Sequence, residues 1–450
     1  MARTSRASKS SALLLTLALV LAACGTDEEP DDTTEPDDAE ETDPDDDSED
    51  AQPDDDIALP DSDRCDETIG VTDDTITVTA ISDLSGPISQ LGGIDHAAAF
   101  EARFDAVNEA GGIDGYTIEV DTRDGQYDPV ETATQYEQAR TESALIGDVL
   151  TSGGMSAIAG DVADDCMIAF MGAPNGFLAQ QYATTFSPTT TYGHEILNTV
   201  EWVTEDEEAG DDINWALAYQ GDAMGESIRE AAEFAAEQLG FEFVDEVTFG
   251  PADEDLTAQA QSLLAADADY VIYGGLPGQL ASLSATAHAQ DSDMQFITQT
   301  GGWTPSILET PAGEALQENV LVSTSLGAWG EDEPGLATMR EDVETHADVA
   351  PGQPVLTGYA TAMVVEEVLR TAVDSGDLTL GGIYRAAMST GFDPEGILPP
   401  LEFGQFADEP RIPSHESRVL RPNADVEGGV EPLTDYFESD LSAEYVEPAI

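Results

Sequence analysis

The stretch that decides the fold reads TITVTAISDLSGPISQLGGIDHAAAFEARFDAVNEAGGIDGYTIEVDTRDGQYDP, residues 75–129. Residues 75–81 are rich in β-branched side chains and predict a strand. Ser85, Gly86 and Pro87 make a turn. Ile94, Ala97, Phe100, Phe104 and Val107 then recur at helical spacing and mark one apolar helix face. Gly111 and Gly112 end that helix. A second strand is predicted over residues 116–121. The whole is a βαβ unit, and open α/β sheets bind ligands in the loops beyond the carboxyl ends of their strands.

Outward from this unit the alternation continues. Residues 144–150, 167–171, 214–219, 241–249, 269–273, 295–299 and 319–324 read as strands. Helical patterns fill the gaps, over residues 130–142, 156–163, 223–239, 257–265 and 280–290. Such alternation means doubly wound α/β sheets. About 380 residues exceed one such core, so two lobes are expected.

Charge narrows the function. The chain has 14 basic and 93 acidic residues. Three of the bases, Arg3, Arg6 and Lys9, precede Cys24, and all the acids follow it, so the net charge beyond Cys24 is 11 − 93 = −82. Nucleic acid and electrostatic attraction to anionic lipid are excluded as partners. The acidic surface suits a salty or alkaline habitat, where salt screens self-repulsion. No cofactor motif is present: Tyr273 occupies the first glycine position of what would otherwise resemble a dinucleotide loop at Gly274, Gly275 and Gly278. Residues 154–157 fail as a G-x-S-x-G elbow. The histidines, His96, His194, His288, His346 and His415, are scattered and give no support to metal binding or histidine catalysis. The expectation is no enzyme, no metal and no cofactor.

Ser-Gly-Pro, the Gly92-Gly93 pair, Asn108-Glu-Ala-Gly-Gly-Ile-Asp-Gly-Tyr116 and Asp124-x-x-x-Asp128-Pro129 occur in order. This series resembles the start of the branched-chain-amino-acid-type solute-binding proteins of ABC importers, and the likeness extends from about residue 76 to residue 407. It implies a type I periplasmic-binding-protein fold, two lobes joined by three crossovers. The crossings fall near Ser187, near Ser325 and within residues 411–420. Lobe 1 is then residues 65–186 with 326–410, and lobe 2 is residues 187–325 with 411–450. It further implies capture of a small solute between the lobes of a monomer and delivery to the importer's membrane permease subunits. The competing reading is a sensor of the same fold that signals to a membrane receptor without transport.

The resemblance also places a site. Leu150-Thr151-Ser152-Gly153-Gly154 follows a strand and opens a helix, which suits an anion or a plain helix cap. In the family the ligand carboxylate lies at positions matching Ser152, Gly153, Gly172, Ala173 and Asn175. In lobe 2, turns at Asp222-Ala223-Met224-Gly225, Gly274-Gly275-Leu276-Pro277 and Thr300-Gly301-Gly302-Trp303 follow predicted strands. Leu91, Met224 and Leu276 stand where the amino-acid binders carry aromatic rings, and Thr300 where they carry the carboxylate that holds the ligand ammonium. An ammonium in a desolvated cleft needs an acceptor, so a standard α-amino acid is doubtful unless Asp83, Asp222 or another acid substitutes. With Trp303, the three apolar side chains describe either an apolar pocket or ordinary packing. Arg123 reads as an anion partner or a surface ion pair.

Residues 1–23 form a basic then apolar leader, too short to span a bilayer. It ends in Leu21-Ala22-Ala23-Cys24, which resembles the bacterial lipobox, so Cys24 is the expected lipidated residue and membrane anchor on the outer face of the cell membrane. Residues 24–64 read as an acidic disordered tether. With Cys24 lipidated, Cys65 and Cys166 remain, and each lies just ahead of a predicted strand. A disulfide between them is expected outside the cytoplasm, two buried thiols being the alternative.

Overall fold

The computed structural model describes residues 57–205 and 213–449. The leader, Cys24 and most of the tether lie outside them. Strand β1 (Thr75–Ser82) is buried from Val78 onward. Helix α1 (Gly93–Glu109) turns Ala97, Phe100, Phe104 and Val107 into the core, whereas Ile94 is 40% exposed, so the apolar face starts a turn later than its spacing predicts. Gly112 has a φ of 77°, and a Cβ there would lie 2.0 Å from the Tyr116 carbonyl oxygen. Only glycine makes this turn into β2 (Thr117–Asp124). Next come α2 (Pro129–Ala139), β3 (Leu145–Val149), α3 (Ser152–Asp164), β4 (Ala169–Met171), α4 (Gly176–Gln181) and β5 (Thr185–Phe186). The five strands are parallel in the order β2-β1-β3-β4-β5. β3 is buried throughout because helices cover both faces of the sheet.

The chain then builds a second sheet. α5 (Tyr192–Glu205), β6 (Trp215–Gln220), α6 (Ala223–Leu239), β7 (Asp245–Phe249), α7 (Thr257–Ala265), β8 (Tyr270–Gly274), α8 (Pro277–His288), β9 (Gln295–Thr298), α9 (Gly313–Asn319) and β10 (Val320–Thr324) follow in order. β7 starts later than the predicted 241–249 strand: Phe241 and Phe243 sit ahead of it and form a small aromatic cluster with Trp215. After β10 the chain returns to the first sheet as α10 (Pro334–His346), α11 (Gln353–Ser375), α12 (Leu380–Ser389) and the hairpin β11 (Gly391–Phe392) and β12 (Leu401–Glu402). Arg103 of α1 ties this return down, pairing with Glu366 of α11 at 2.7 Å and Asp342 of α10 at 3.1 Å.

The final segment crosses back. β13 (Arg418–Pro422) adds antiparallel to β10, and β14 (Val430–Pro432) to β13. The second sheet is therefore β14-β13-β10-β9-β8-β6-β7, with α13 (Asp440–Glu444) packed on α5. The first sheet with its helices is lobe 1, the second lobe 2. Two crossing segments run side by side: Ser187 N–H donates to the Arg411 carbonyl at 3.1 Å, and Thr190 Oγ1 to the Glu416 carbonyl at 2.7 Å.

Cys65 and Cys166 are disulfide-bonded, as the cysteine count predicts. The packed chain begins ahead of Cys65, however. Leu59 lies against the core, and Ser62 Oγ donates to the Asp164 carbonyl at 2.6 Å. The tether expected to reach residue 64 is shorter than that, because Leu59 is apolar enough to dock.

The histidines need a correction too. His194 and His415, remote in sequence, stack at the crossing with ring centroids 3.8 Å apart and planes 10° apart, and Phe406 covers the other face of His415 at 3.7 Å. Glu409 Oε2 lies 3.4 Å from His194 Nε2 and 3.1 Å from His415 Nε2. This trio has potential metal ligands close together. Stacked parallel rings nonetheless cannot both hold one ion in their planes at the usual distance of about 2.0–2.1 Å, so a shared carboxylate fits the arrangement better.

Candidate functional site

A cavity of about 80 Å³ lies between the carboxyl ends of the two sheets. Lobe 1 contributes Ile88, Leu91, His96, Tyr127, Thr151, Ser152, Gly172, Ala173 and Pro354 to its wall. Lobe 2 contributes Tyr192, Met224, Leu276, Thr300, Gly301 and Trp303. Of the residues singled out in sequence, Leu91, Ser152, Gly172, Ala173, Met224, Leu276, Thr300 and Trp303 meet here.

At the lobe 1 end, β3 delivers the chain to the start of α3. Thr151 caps this helix, its Oγ1 accepting the Gly154 N–H at 3.1 Å. That frees Ser152 of any capping duty. Its hydroxyl is buried at the cavity wall with no partner among the described residues. An unpartnered buried hydroxyl is costly unless something fills it. A hydroxyl beside a helix N-terminus suits an oxygen anion. Below it, His96 Nε2 lies 3.2 Å from Asp148 Oδ2, both fully buried. A Cβ on Gly172 would lie 2.3 Å from Asp148 Oδ1 and 3.2 Å from His96, so this pair fits under the cavity only because residue 172 is glycine.

Two expected residues are not in the wall. Gly153 turns toward Pro129. Asn175 is buried and donates through Nδ2 to the Ala223 carbonyl at 2.7 Å, bridging lobe 1 to the first residue of α6. Its Nδ2 is thereby used between the lobes, while its buried Oδ1 has no partner among the described residues. Arg123 also stays away from the cavity, paired with Asp121 and, at 2.9 Å, with Glu142.

The lobe 2 end is apolar, built by Met224, Leu276 and Trp303, with the indole N–H of Trp303 buried and without a partner among the described residues. Asp83 and Asp222 do not replace the carboxylate missing at position 300. Asp83 accepts the N–H groups of Gly86 and Ile88, Asp222 caps α6, and neither lines the cavity. A carboxylate does stand behind Thr300. Glu195 of α5 accepts from Thr300 Oγ1 at 2.6 Å, from Thr300 N at 3.0 Å and from Ser325 N at 3.0 Å. Burial pushes Glu195 up to about 8, against the pull of those donors.

His96, Tyr192 and Glu195 escape a reading of the sequence. Each sits near the start of a long helix, where a polar residue among apolar ones looks like ordinary surface. The only hint is position: α1 and α5 both begin where the chain turns into the cleft.

The chain matches the periplasmic binding protein family over residues 75–425. It is 22% identical, over 73% of its length and 89% of the relative's, to the leucine-, isoleucine-, valine-, threonine-, and alanine-binding protein of Pseudomonas aeruginosa. Among solved structures, a fatty acid ABC transporter substrate-binding protein from Thermomonospora curvata superposes with a TM-score of 0.79 and 27% identity, over 85% of this chain and 97% of that one. A branched-chain amino acid ABC transporter protein from Thermus thermophilus with bound valine superposes with a TM-score of 0.73 and 21% identity, over 83% of this chain and 99% of that one. Fold, cleft and family match agree: the chain belongs to the periplasmic binding protein family, with the type I fold of ABC-importer solute-binding proteins.

Proposed function

We propose that this protein is a lipid-anchored, extracytoplasmic solute-binding protein that captures a small carboxylate solute with an apolar body and hands it to ABC-importer permease subunits. The observation that carries the reading is the cavity itself. Ser152 offers an unpartnered hydroxyl beside a helix N-terminus at one end, and Leu91, Met224, Leu276 and Trp303 surround the rest. Relatives that bind amino acids and a fatty acid share one feature with this reading, a carboxylate attached to apolar carbon. Contacts from both lobes bias the protein toward the closed form, which contacts from one lobe alone do not. Among the described residues no helix is long and apolar enough to cross a membrane; the assignment of attachment to Cys24 rests on the lipobox-like Leu21-Ala22-Ala23-Cys24.

The test is a thermal-shift panel of the purified protein in high salt against amino acids, matched carboxylates without the amine, and matched amides. At least one carboxylate class should raise the melting temperature in proportion to the logarithm of its concentration. Amides alone raising it would contradict the carboxylate assignment. Uptake of the binding compound by cells, lost on deletion of the gene for this protein, separates transport from sensing.

A further inference from the structure

We infer that the solute does not end in the cavity beside Ser152: its apolar body continues past Leu91 into a second, larger cavity between the lobes, so the preferred solute is a monocarboxylate with an extended chain. The inference rests on the carboxylate reading above and adds the length and the far end of the solute.

The second cavity has a volume of about 460 Å³, against about 80 Å³ for the first. Leu91, Gly92 and Pro354 line both, so they form the partition between them. Beyond the partition the wall again comes from both lobes. Asp95 and residues 350–352 belong to lobe 1, residues 304–306 and 426–429 to lobe 2. Pro305 of lobe 2 presses on Gly352 of lobe 1, where a Cβ would lie 2.5 Å from Pro305 Cγ. The second cavity therefore forms where the lobes meet, and a chain lying in it adds contacts to both, which favours the closed form.

The partition has one fixed part and one adjustable part. A Cβ on Gly92 would lie 2.4 Å from Pro354 Cγ and 2.7 Å from Pro354 Cβ, so backbone and ring touch with no room between them. Gly92 has a φ of 137°, a conformation that glycine alone holds without strain. Leu91 is different. It ends a single 3-10 turn (Ser89–Leu91) and is half-buried, whereas Met224, Leu276 and Trp303 around the same cavity are buried. Its Cδ1 reaches across the cleft to within 3.9 Å of where a Cβ on Gly278 would stand. A side chain that is not packed on every side changes rotamer readily, and turning Leu91 joins the two cavities. A bulky ring at this position would fill the same gap. Leu91 is thus the specificity-determining residue for solute length.

Charge limits what the far end carries. Leu308, Pro351 and Val426 give the second cavity apolar surface for a hydrocarbon chain to cover. The charged side chains in its wall are Asp95, Glu309 and Glu427, all acids. A second carboxylate there meets like charge, so the solute carries its carboxylate at one end alone.

The test is calorimetric titration of the purified protein in high salt with butanoate, hexanoate, octanoate and decanoate, with their 2-amino counterparts, and with octanedioate. In the series that binds, affinity should rise about fourfold per added methylene through to the longest member. Octanedioate should bind about tenfold more weakly than octanoate, or worse. L91W, which narrows the passage, and A350W, which fills the second cavity from an exposed position in its wall, should each cut the affinity ratio of the longest to the shortest member by about tenfold. A350W keeps the inference testable if L91W fails to fold. Affinity that peaks at hexanoate length and then falls, a ratio that neither variant changes, or octanedioate binding as tightly as octanoate overturns the inference and leaves the carboxylate reading standing. Failure of every compound to bind overturns both.

Discussion

The backbone N–H of Glu447 donates to Glu409 Oε1 at 2.8 Å, joining the C-terminal segment to the chain just ahead of its last crossing. The two acids have opposite titration behaviour. Burial raises Glu409, but His194, His415 and this N–H outweigh it and hold the carboxyl at about 2. Burial, reinforced by the charge of Glu409, pushes Glu447 to about 8 in spite of its bond from Thr191.

Stability should therefore fall on both sides of mildly acidic pH. The Glu409 contribution is present above its ordinary value of 4.5 and is lost as pH drops toward 2. Glu447 and Glu195 bind their protons more tightly folded than unfolded. Their contribution is full below 4.5 and is lost as pH rises from there to about 8. Each tenfold difference in proton affinity between the folded and unfolded chain is worth about 1.4 kcal/mol. Melting temperature against pH at constant salt checks this, and E447Q should flatten part of the alkaline decline. A profile that rises steadily from pH 5 to 8 contradicts it.

The C-terminal segment packs against glycine. A Cβ on Gly176 would lie 2.0 Å from Glu447 Cδ, and one on Gly193 2.6 Å from Glu447 Oε1. Thr191 and Tyr445 pin the Glu447 side chain from either side, so it has nowhere to go. G176A should cost about 1–3 kcal/mol by overpacking. The double variant G176A/E447A should lose less than the sum of its parts, as measured by urea unfolding.

The Cys65–Cys166 bond spans a separation of 101 residues and fastens the entry segment to the start of β4. In the chain-entropy account a loop of that size contributes up to about 4.7 kcal/mol. The C65S/C166S variant should unfold at lower denaturant and keep its ligand specificity, because neither residue touches the cavity.

Ser152 and Asn175 should separate by ligand. S152A removes the free hydroxyl and should weaken carboxylates roughly tenfold while sparing matched amides more, a cost of about 1.4 kcal/mol. N175A breaks the bond to Ala223 and should change the affinity of every ligand by a similar factor, since it acts on lobe closure. Titration of both variants with one acid and its amide decides between these roles.

The sequence shows the sheets well and the site in part. β1, α1 and β2 are legible because β-branched runs and a 3.6-residue apolar face are local signals. The turns after β3, β8 and β9 are legible because glycine and hydroxyl residues crowd there. Asn175 misleads because its amide reaches 48 residues along the chain to Ala223, a contact no local pattern encodes. Glu195 is hidden for the same reason: Thr300 marks the absence of a carboxylate in its own loop, and the buried carboxylate that it bonds belongs to a helix 105 residues earlier. β13 and β14 are not legible because strands of five and three residues at a sheet edge carry too little periodicity to detect.

The central claim is that the solute is held by both lobes at once. Spin labels at V130C, beyond β2, and E254C, beyond β7, sit at exposed positions past the cleft-side ends of the two edge strands. The distance between them, measured by pulsed electron resonance without and with the carboxylate that most raises the melting temperature, reads lobe closure directly. A shorter, narrower distribution with ligand is predicted. A raised melting temperature with an unchanged distribution would show that the solute binds elsewhere or to one lobe alone.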